Sequence, residues 1–194
     1  MIMSTRYERG GRTKQKLRTR RALVEAARAL LAQGVTPTVE QAAVAASISR
    51  PTAYRYFSNQ RELLLAAHPE LSMSSLLPKT APSDPLKRLD LASKALTGLL
   101  LQHEVALRAM LRISLEAGQH GALRSGQRIV WINDALAPLK NALPPKRYTK
   151  LVLSVAATLG IEPLVWLVDV AGVERNEAVQ LLRSSARELL RAAL

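Results

Sequence analysis

The residues best suited to chemistry cluster between Ser49 and Phe57, in the segment SRPTAYRYF. Arg50, Thr52, Tyr54, Arg55 and Tyr56 carry groups that hydrogen-bond phosphate oxygens or base edges, and Phe57 is suited to anchor such a segment to a small core. Tyr54 fits either role, because tyrosine buries its ring as readily as it presents its hydroxyl. Aromatic residues interleaved with arginine are unusual on a passive surface. Bond-making chemistry finds little support elsewhere. His68, His103 and His120 are too scattered for a metal pair on one helix, and no Gly-x-Ser-x-Gly or phosphate-cradling glycine loop occurs. Binding rather than catalysis is expected, with no cofactor and no metal site.

Charge points the same way. The 194-residue chain carries a net charge of +13, and residues 1–61 hold 12 of its 28 Lys and Arg but 3 of its 15 Asp and Glu. The first third is therefore +9, a field that attracts nucleic acid or an anionic membrane surface. Cysteine is absent, which excludes a disulfide scaffold and a thiolate metal site and fits a reducing cytoplasm. The apolar run from Ala22 is interrupted by Glu25 and Arg28, unlike the core of an export signal. Leu151 to Val168 approaches membrane-spanning length, yet it contains Glu162 and Pro163 and is closed by Asp169. Burial inside protein is the better reading, and no membrane partner is expected.

These side chains need helices to position them, and the pattern is all-α: Ala, Leu, Arg and Glu dominate, with no sustained alternation of β-formers. A basic arm, Arg6 to Lys16, precedes a first helix with Leu23, Ala27, Leu30 and Leu31 on one face, stopped by Gly34. Thr38 followed by Gln41 is a capping box opening a second helix of small residues. A tight turn at Ser47-Ile48 leads to a third helix over about Arg50 to Tyr56, capped by Ser49, and Ser58 is expected to cap a fourth that ends near His68. Proline-rich 68–84 reads as an irregular connector between a domain at 1–67 and another at 85–194. In the latter, Asp84-Pro85 starts a helix to about Gln102, followed by helices over Glu104 to Ala117, Leu123 to Leu143, Arg147 to Val170 and Glu174 to Ala193. The last carries Ala178, Leu181, Leu182, Ser185, Ala186, Leu189, Leu190 and Ala193 on one stripe.

Short helices with the second and third joined by a tight turn are the requirement for a helix-turn-helix, in which one helix braces on the backbone and the next enters the major groove. Thr38, ASIS at 46–49, YRYF at 54–57 and ELLLAA at 62–67 stand in the register of the TetR family of bacterial regulators, which this sequence resembles over about residues 18–67. The resemblance implies that Thr38, Ser49, Arg50, Thr52, Tyr54 and Tyr56 lie at or near DNA, mostly on phosphates, with Arg55 and Arg50 as base readers. Arg12, Lys14 and Lys16 of the basic arm join them on charge grounds. Two positions depart from the family pattern. The usual turn glycine is Ser47, and the lysine often found at the start of the fourth helix is Gln60, with Arg61 as its replacement on phosphate.

The resemblance continues more weakly beyond the connector, where HEVALRAMLRISLEAG and LGIEPLVWLVDVAGV are similar to segments of TetR-type ligand-binding domains. It implies a homodimer through the last two helices, an approximately palindromic double-stranded operator, and a small-molecule effector. Met110, Ser114, Trp131, Glu162 and Trp166 lie on different helices and are expected to line an apolar pocket with a few polar groups; their alternative role is ordinary core. The expectation is an all-α cytoplasmic repressor, released by its effector. A ligand-independent or architectural DNA-binding protein would satisfy the same charge.

Overall fold

A computed structural model describes residues 4–116 and 126–194, with side chains over 14–115 and 126–194. His120 and the start expected for the helix from Leu123 lie outside the described residues. The described residues are helical and contain no strand. They divide into two compact units, residues 1–69 and 70–194.

The first unit contains α1 (Ser4–Ala32), α2 (Val39–Ala45), α3 (Arg50–Tyr54) and α4 (Gln60–Ala67). The expected basic arm is a correction: its Arg, Lys and Gln are good helix formers, and α1 runs through them from Ser4. Leu23, Val24 and Ala27 bury one face of α1 against Val39, Ala42, Ala43, Ala53, Phe57 and Leu63. Gly34, at φ +78°, closes α1. The amides of Gly34 and Val35 donate to the carbonyls of Leu31 and Leu30, satisfying carbonyls that the helix end would otherwise orphan.

Thr38 opens α2 as its capping pattern predicts: its hydroxyl accepts from the Gln41 amide at 3.1 Å, and the Gln41 side chain accepts from the Thr38 amide at 2.8 Å. The start of α4 differs from expectation. Asn59, not Ser58, is its cap, because extended Asn59 places Oδ1 2.9 Å from the Glu62 amide while Glu62 reaches back to the Ser58 amide.

The second unit contains α5 (Pro85–Gln102), α6 (Glu104–Glu116), α7 (Gln127–Ala135), α8 (Pro145–Thr158), α9 (Ile161–Val165) and α10 (Arg175–Arg191). Its core is formed by Leu89, Leu96, Trp131, Ile132, Leu136, Val155, Leu159, Leu164, Leu182 and Leu190 with their neighbours, drawn from α5, α7, α8, α9 and α10. The proline-rich stretch is more ordered than expected. Pro69–Ser72 forms a turn of 3₁₀ helix, Leu71 is buried, and the Ser75 hydroxyl donates to Asp134 at 2.5 Å.

A single helix over 147–170 is not what forms. α8 ends at Thr158, extended Gly160 intervenes, and α9 passes into a wider π-type turn at Trp166–Val170. Gly160 and Pro163 break the helix locally, because Pro163 has no amide to give the Leu159 carbonyl. Arg128 takes up that carbonyl, its Nη1 donating to Leu159 O at 3.2 Å and pairing with Glu162 at 2.9 Å. Its guanidinium occupies the space a side chain at 160 would take: a Cβ there would lie 1.5 Å from Nη1. Pro145–Val170 is long and apolar enough to cross a membrane by length and composition, but Leu151, Val152, Val155, Ala156, Leu159 and Leu164 are buried in this unit's own core.

Candidate nucleic-acid interface

α2 and α3 are joined by a turn whose geometry depends on one residue. Ser47 takes φ +55°, the one non-glycine residue with positive φ among those described. Its amide donates to Val44 O and the Ile48 amide to Ala43 O, the same pair of bonds that closes α1 through Gly34. Ile48 then packs on the small core. A serine in this region costs about 1 kcal/mol relative to glycine, so the missing turn glycine changes the stability of the turn and not its path.

α3 follows directly. Ser49 is its extended N-cap residue, its hydroxyl bonded to that of Thr52 at 2.9 Å, and Pro51 sits in the first turn where no amide partner is lost. Ala53 and Phe57 face the core, Phe57 at 2% exposure with the Arg20 guanidinium 5.2 Å from its ring centre. Tyr56 is half-buried against the same core, and Thr52 is half-buried as well. Arg50 and Arg55 are exposed. Tyr54, open to either reading from sequence, is 39% exposed and donates its hydroxyl to Glu40 Oε1 at 3.3 Å. Thr38, Lys14 and Lys16 are exposed, while the Arg12 side chain lies outside the described residues.

The fourth helix resolves the second departure. Gln60 donates its amide to the carbonyls of Pro37 at 3.0 Å and Thr36 at 3.4 Å, tying the start of α4 to the turn before α2. It thus acts as a brace. Arg61, half-buried, makes no hydrogen bond or ion pair among the described residues.

α2, a tight turn and α3 thus present Arg50, Tyr54 and Arg55 outward, as a helix-turn-helix requires. Residues 23–67 match the family model for bacterial regulatory proteins, tetR family. The first unit is a TetR-type DNA-binding domain. No curated protein and no solved structure matches the chain. The TetR-type domain makes this chain a DNA-binding transcriptional regulator.

Sequence reasoning missed two residues of this TetR-type domain. Arg20 lies over Phe57. Glu40, the lone acidic residue between Thr38 and Phe57, accepts an ion pair from Arg50 at 2.7 Å as well as the Tyr54 hydrogen bond. Its signal was available as a single acid in a basic segment.

The five residues expected to line a pocket lie on α6, α7, α9 and the turn after it. Met110 and Ser114 are half-buried on α6, with the Ser114 hydroxyl bonded to Leu111 O at 2.7 Å. Trp131 is buried in the core and gives its indole N–H to Met73 O at 2.6 Å. Glu162 is engaged by Arg128. Trp166 is 59% exposed at the start of the π-type turn. Two open clefts of this unit have other linings: Leu76, Pro78, Leu91, Ala95, Gly98 and neighbours enclose about 480 Å³, and Lys146, Thr149, Lys150, Leu153 and neighbours about 510 Å³.

Proposed function

We propose that this regulator is a cytoplasmic homodimeric repressor whose α3 helices read an approximately palindromic operator. The observation that carries the reading is the outward set on α3 and its C-terminal cap, Arg50, Tyr54 and Arg55, fixed by a closed turn and a buried Phe57. Thr38, Ser49, Tyr56, Arg61, Arg12, Lys14 and Lys16 serve as phosphate contacts around it, and Arg55 is the base reader. Two copies place their recognition helices on half-sites one turn of DNA apart.

Dimerisation is assigned to the last two helical segments, α8–α9 and α10. Leu153, Trp166, Val170 and Leu181 stay exposed there although the rest of their apolar faces is buried within the unit, and such surface favours a partner copy. An effector acts through the second unit, and it shifts operator affinity only as far as its affinities for the DNA-competent and incompetent states differ.

The test begins with duplexes selected from the source genome. Arg55→Ala should lower affinity for the selected duplex by about tenfold to a hundredfold and erase its preference over a scrambled one. Lys14→Ala should weaken both duplexes alike and reduce the salt dependence. If the two variants act alike on both duplexes, Arg55 reads no base. Trp166→Glu should convert the dimer to a monomer in sedimentation; an unchanged dimer removes the assignment to these helices.

A further inference from the structure

Glu40 is placed oddly for a surface built to meet phosphates. It is one of 3 acidic residues among the first 61, and the others, Glu8 and Glu25, are on α1. One of its oxygens, Oε1, takes a polar group from each end of the short recognition helix: Arg50 Nη2 at 2.7 Å and the Tyr54 hydroxyl at 3.3 Å. The Arg50 guanidinium also lies 5.7 Å from the Tyr54 ring centre, so the three side chains form one closed cluster. None is buried: Arg50 is 69% and Glu40 45% exposed at the side chain. The cluster therefore sits at the surface, where DNA would have to meet it.

We propose that Glu40 is a specificity-determining residue, an internal counter-anion that occupies Arg50 and Tyr54 and repels the DNA backbone unless a cognate site supplies enough contacts to open the cluster. The inference rests on the reading of α3 as the recognition helix. Its logic is competitive. A phosphate approaching Arg50 must displace a carboxylate that is already bonded, and must also come close to that carboxylate's charge. On random DNA the cluster stays closed, so Arg50 and Tyr54 give no contact and the Glu40 charge faces the backbone unrelieved. On a cognate duplex the added base contacts seat α3 closely enough to open the cluster, and Arg50 and Tyr54 then contact the DNA in return, so the cost differs between the two complexes. The surface position keeps the pair weak enough to be exchanged, since exposed ion pairs contribute little net stability.

The test uses the full-length chain, the selected duplex and a scrambled duplex of equal composition, titrated from about 50 to about 300 mM salt. Glu40→Gln should tighten binding to the scrambled duplex by about threefold to tenfold and steepen its salt dependence by about one phosphate contact. The selected duplex should gain less, so discrimination falls. In an Arg50→Ala background, Glu40→Gln should lose most of this gain. The thermal midpoint should stay close to that of the unaltered chain; should Glu40→Gln prove poorly folded, Glu40→Asp keeps the charge at the start of α2 but shortens the reach to Arg50, and should raise scrambled binding to a lesser degree. Failure to bind scrambled DNA more tightly than the unaltered chain overturns the proposal. If the unaltered chain itself prefers no duplex, the reading of α3 fails instead.

Discussion

The two units join their helices by different means. In the first, most of the joints are made within a few residues of sequence: Gly34 closes α1, Ser47 closes α2, and the side chains of Thr38 and Asn59 cap α2 and α4. In the second, long side chains cross between elements distant in sequence. Arg88 reaches the carbonyls of Ala135 and Asp134, Arg128 reaches Leu159 and Glu162, and Arg187 pairs with Asp90 at 2.6 Å. A fold written in local turns carries its own signature, and that is where the family model matches. A fold written in long-range bonds leaves only helical periodicity for a reader to find.

The sharpest way to break this comparison is to remove the main anchor of the smaller core. Phe57 is buried among Leu23, Ala27, Val39, Ala42, Ala43, Ala53 and Leu63, several of them alanines that cannot move in to fill a void. Phe57→Ala should cost about 3 to 5 kcal/mol and abolish DNA binding. Amide hydrogen exchange should show lost protection over α2–α4 with protection retained in α8 and α10. Loss of protection in α8 and α10 as well would mean that the units fold as one.

A smaller effect separates long-range joints from local ones. Gly160→Ala forces the Arg128 guanidinium out of its place, removing its bonds to Leu159 O and Glu162, and should destabilise the chain by about 1 to 3 kcal/mol in urea unfolding. With Arg128→Ala already present, the same glycine change should cost much less, because the atom it displaces is gone. Equal costs in both backgrounds would show that the need for glycine at 160 does not come from Arg128.

These joints also explain what was legible in the sequence. The Thr38–Gln41 capping box, the Asp84-Pro85 start of α5 and the Glu174 start of α10 are local, and each formed where its residues stand. At the break, Gly160 and Pro163 are local signals, but the Arg128 guanidinium that fills the space beside Gly160 comes from another helix and was not legible. Glu40 stands out as a single acid in a basic segment, but its partners, ten and fourteen residues away across a turn, were not legible. Ser58 and Asn59 both carry good capping side chains, and only the extended backbone at Asn59 decides between them. In the basic arm, charge density does not fix conformation: Arg, Lys and Gln are good helix formers, and α1 runs through the arm despite Gly10 and Gly11.

Within the first unit, α1 and α2 end in the same pair of bonds, one through glycine at φ +78° and one through serine at φ +55°. Ser47→Gly relieves the contact of Cβ with its own carbonyl in the left-handed region, offset by the greater freedom glycine gains on unfolding. The net expectation is a gain of about 0.5 to 1 kcal/mol, seen as a higher thermal midpoint with DNA preference retained. Gly34→Ser should move stability the other way. A loss of stability on Ser47→Gly would mean that the serine side chain contributes more than its backbone strain removes.

The smallest effect sharpens the electrostatic side of the second unit. Arg108 on α6 holds Asp169 with its two terminal guanidinium nitrogens, one at 2.9 Å, and pairs through Nε with Glu104 at 2.7 Å, while Arg175 adds a second partner to Glu104 at 3.1 Å. The Arg108 hydrogen bond holds the Asp169 carboxyl below its ordinary value of 3.8, against a smaller opposing effect of burial. For Glu104 burial is the largest influence and pushes upward, but the bonds and charges of Arg175 and Arg108 together prevail and hold it below 4.5. Carboxyls depressed in the folded state contribute stability that is present above their unfolded values and lost as pH falls through the folded ones. The thermal midpoint should therefore decline as pH drops below about 4.5, and Asp169→Asn should make that decline shallower while leaving the slope between about pH 6 and 8 unchanged. Half-exposed pairs are screened by salt, so the difference should shrink at high ionic strength. An identical acid limb in Asp169→Asn would show that the bond between α6 and the turn after α9 adds nothing to the fold, leaving Glu104 and its two arginines as the joint there.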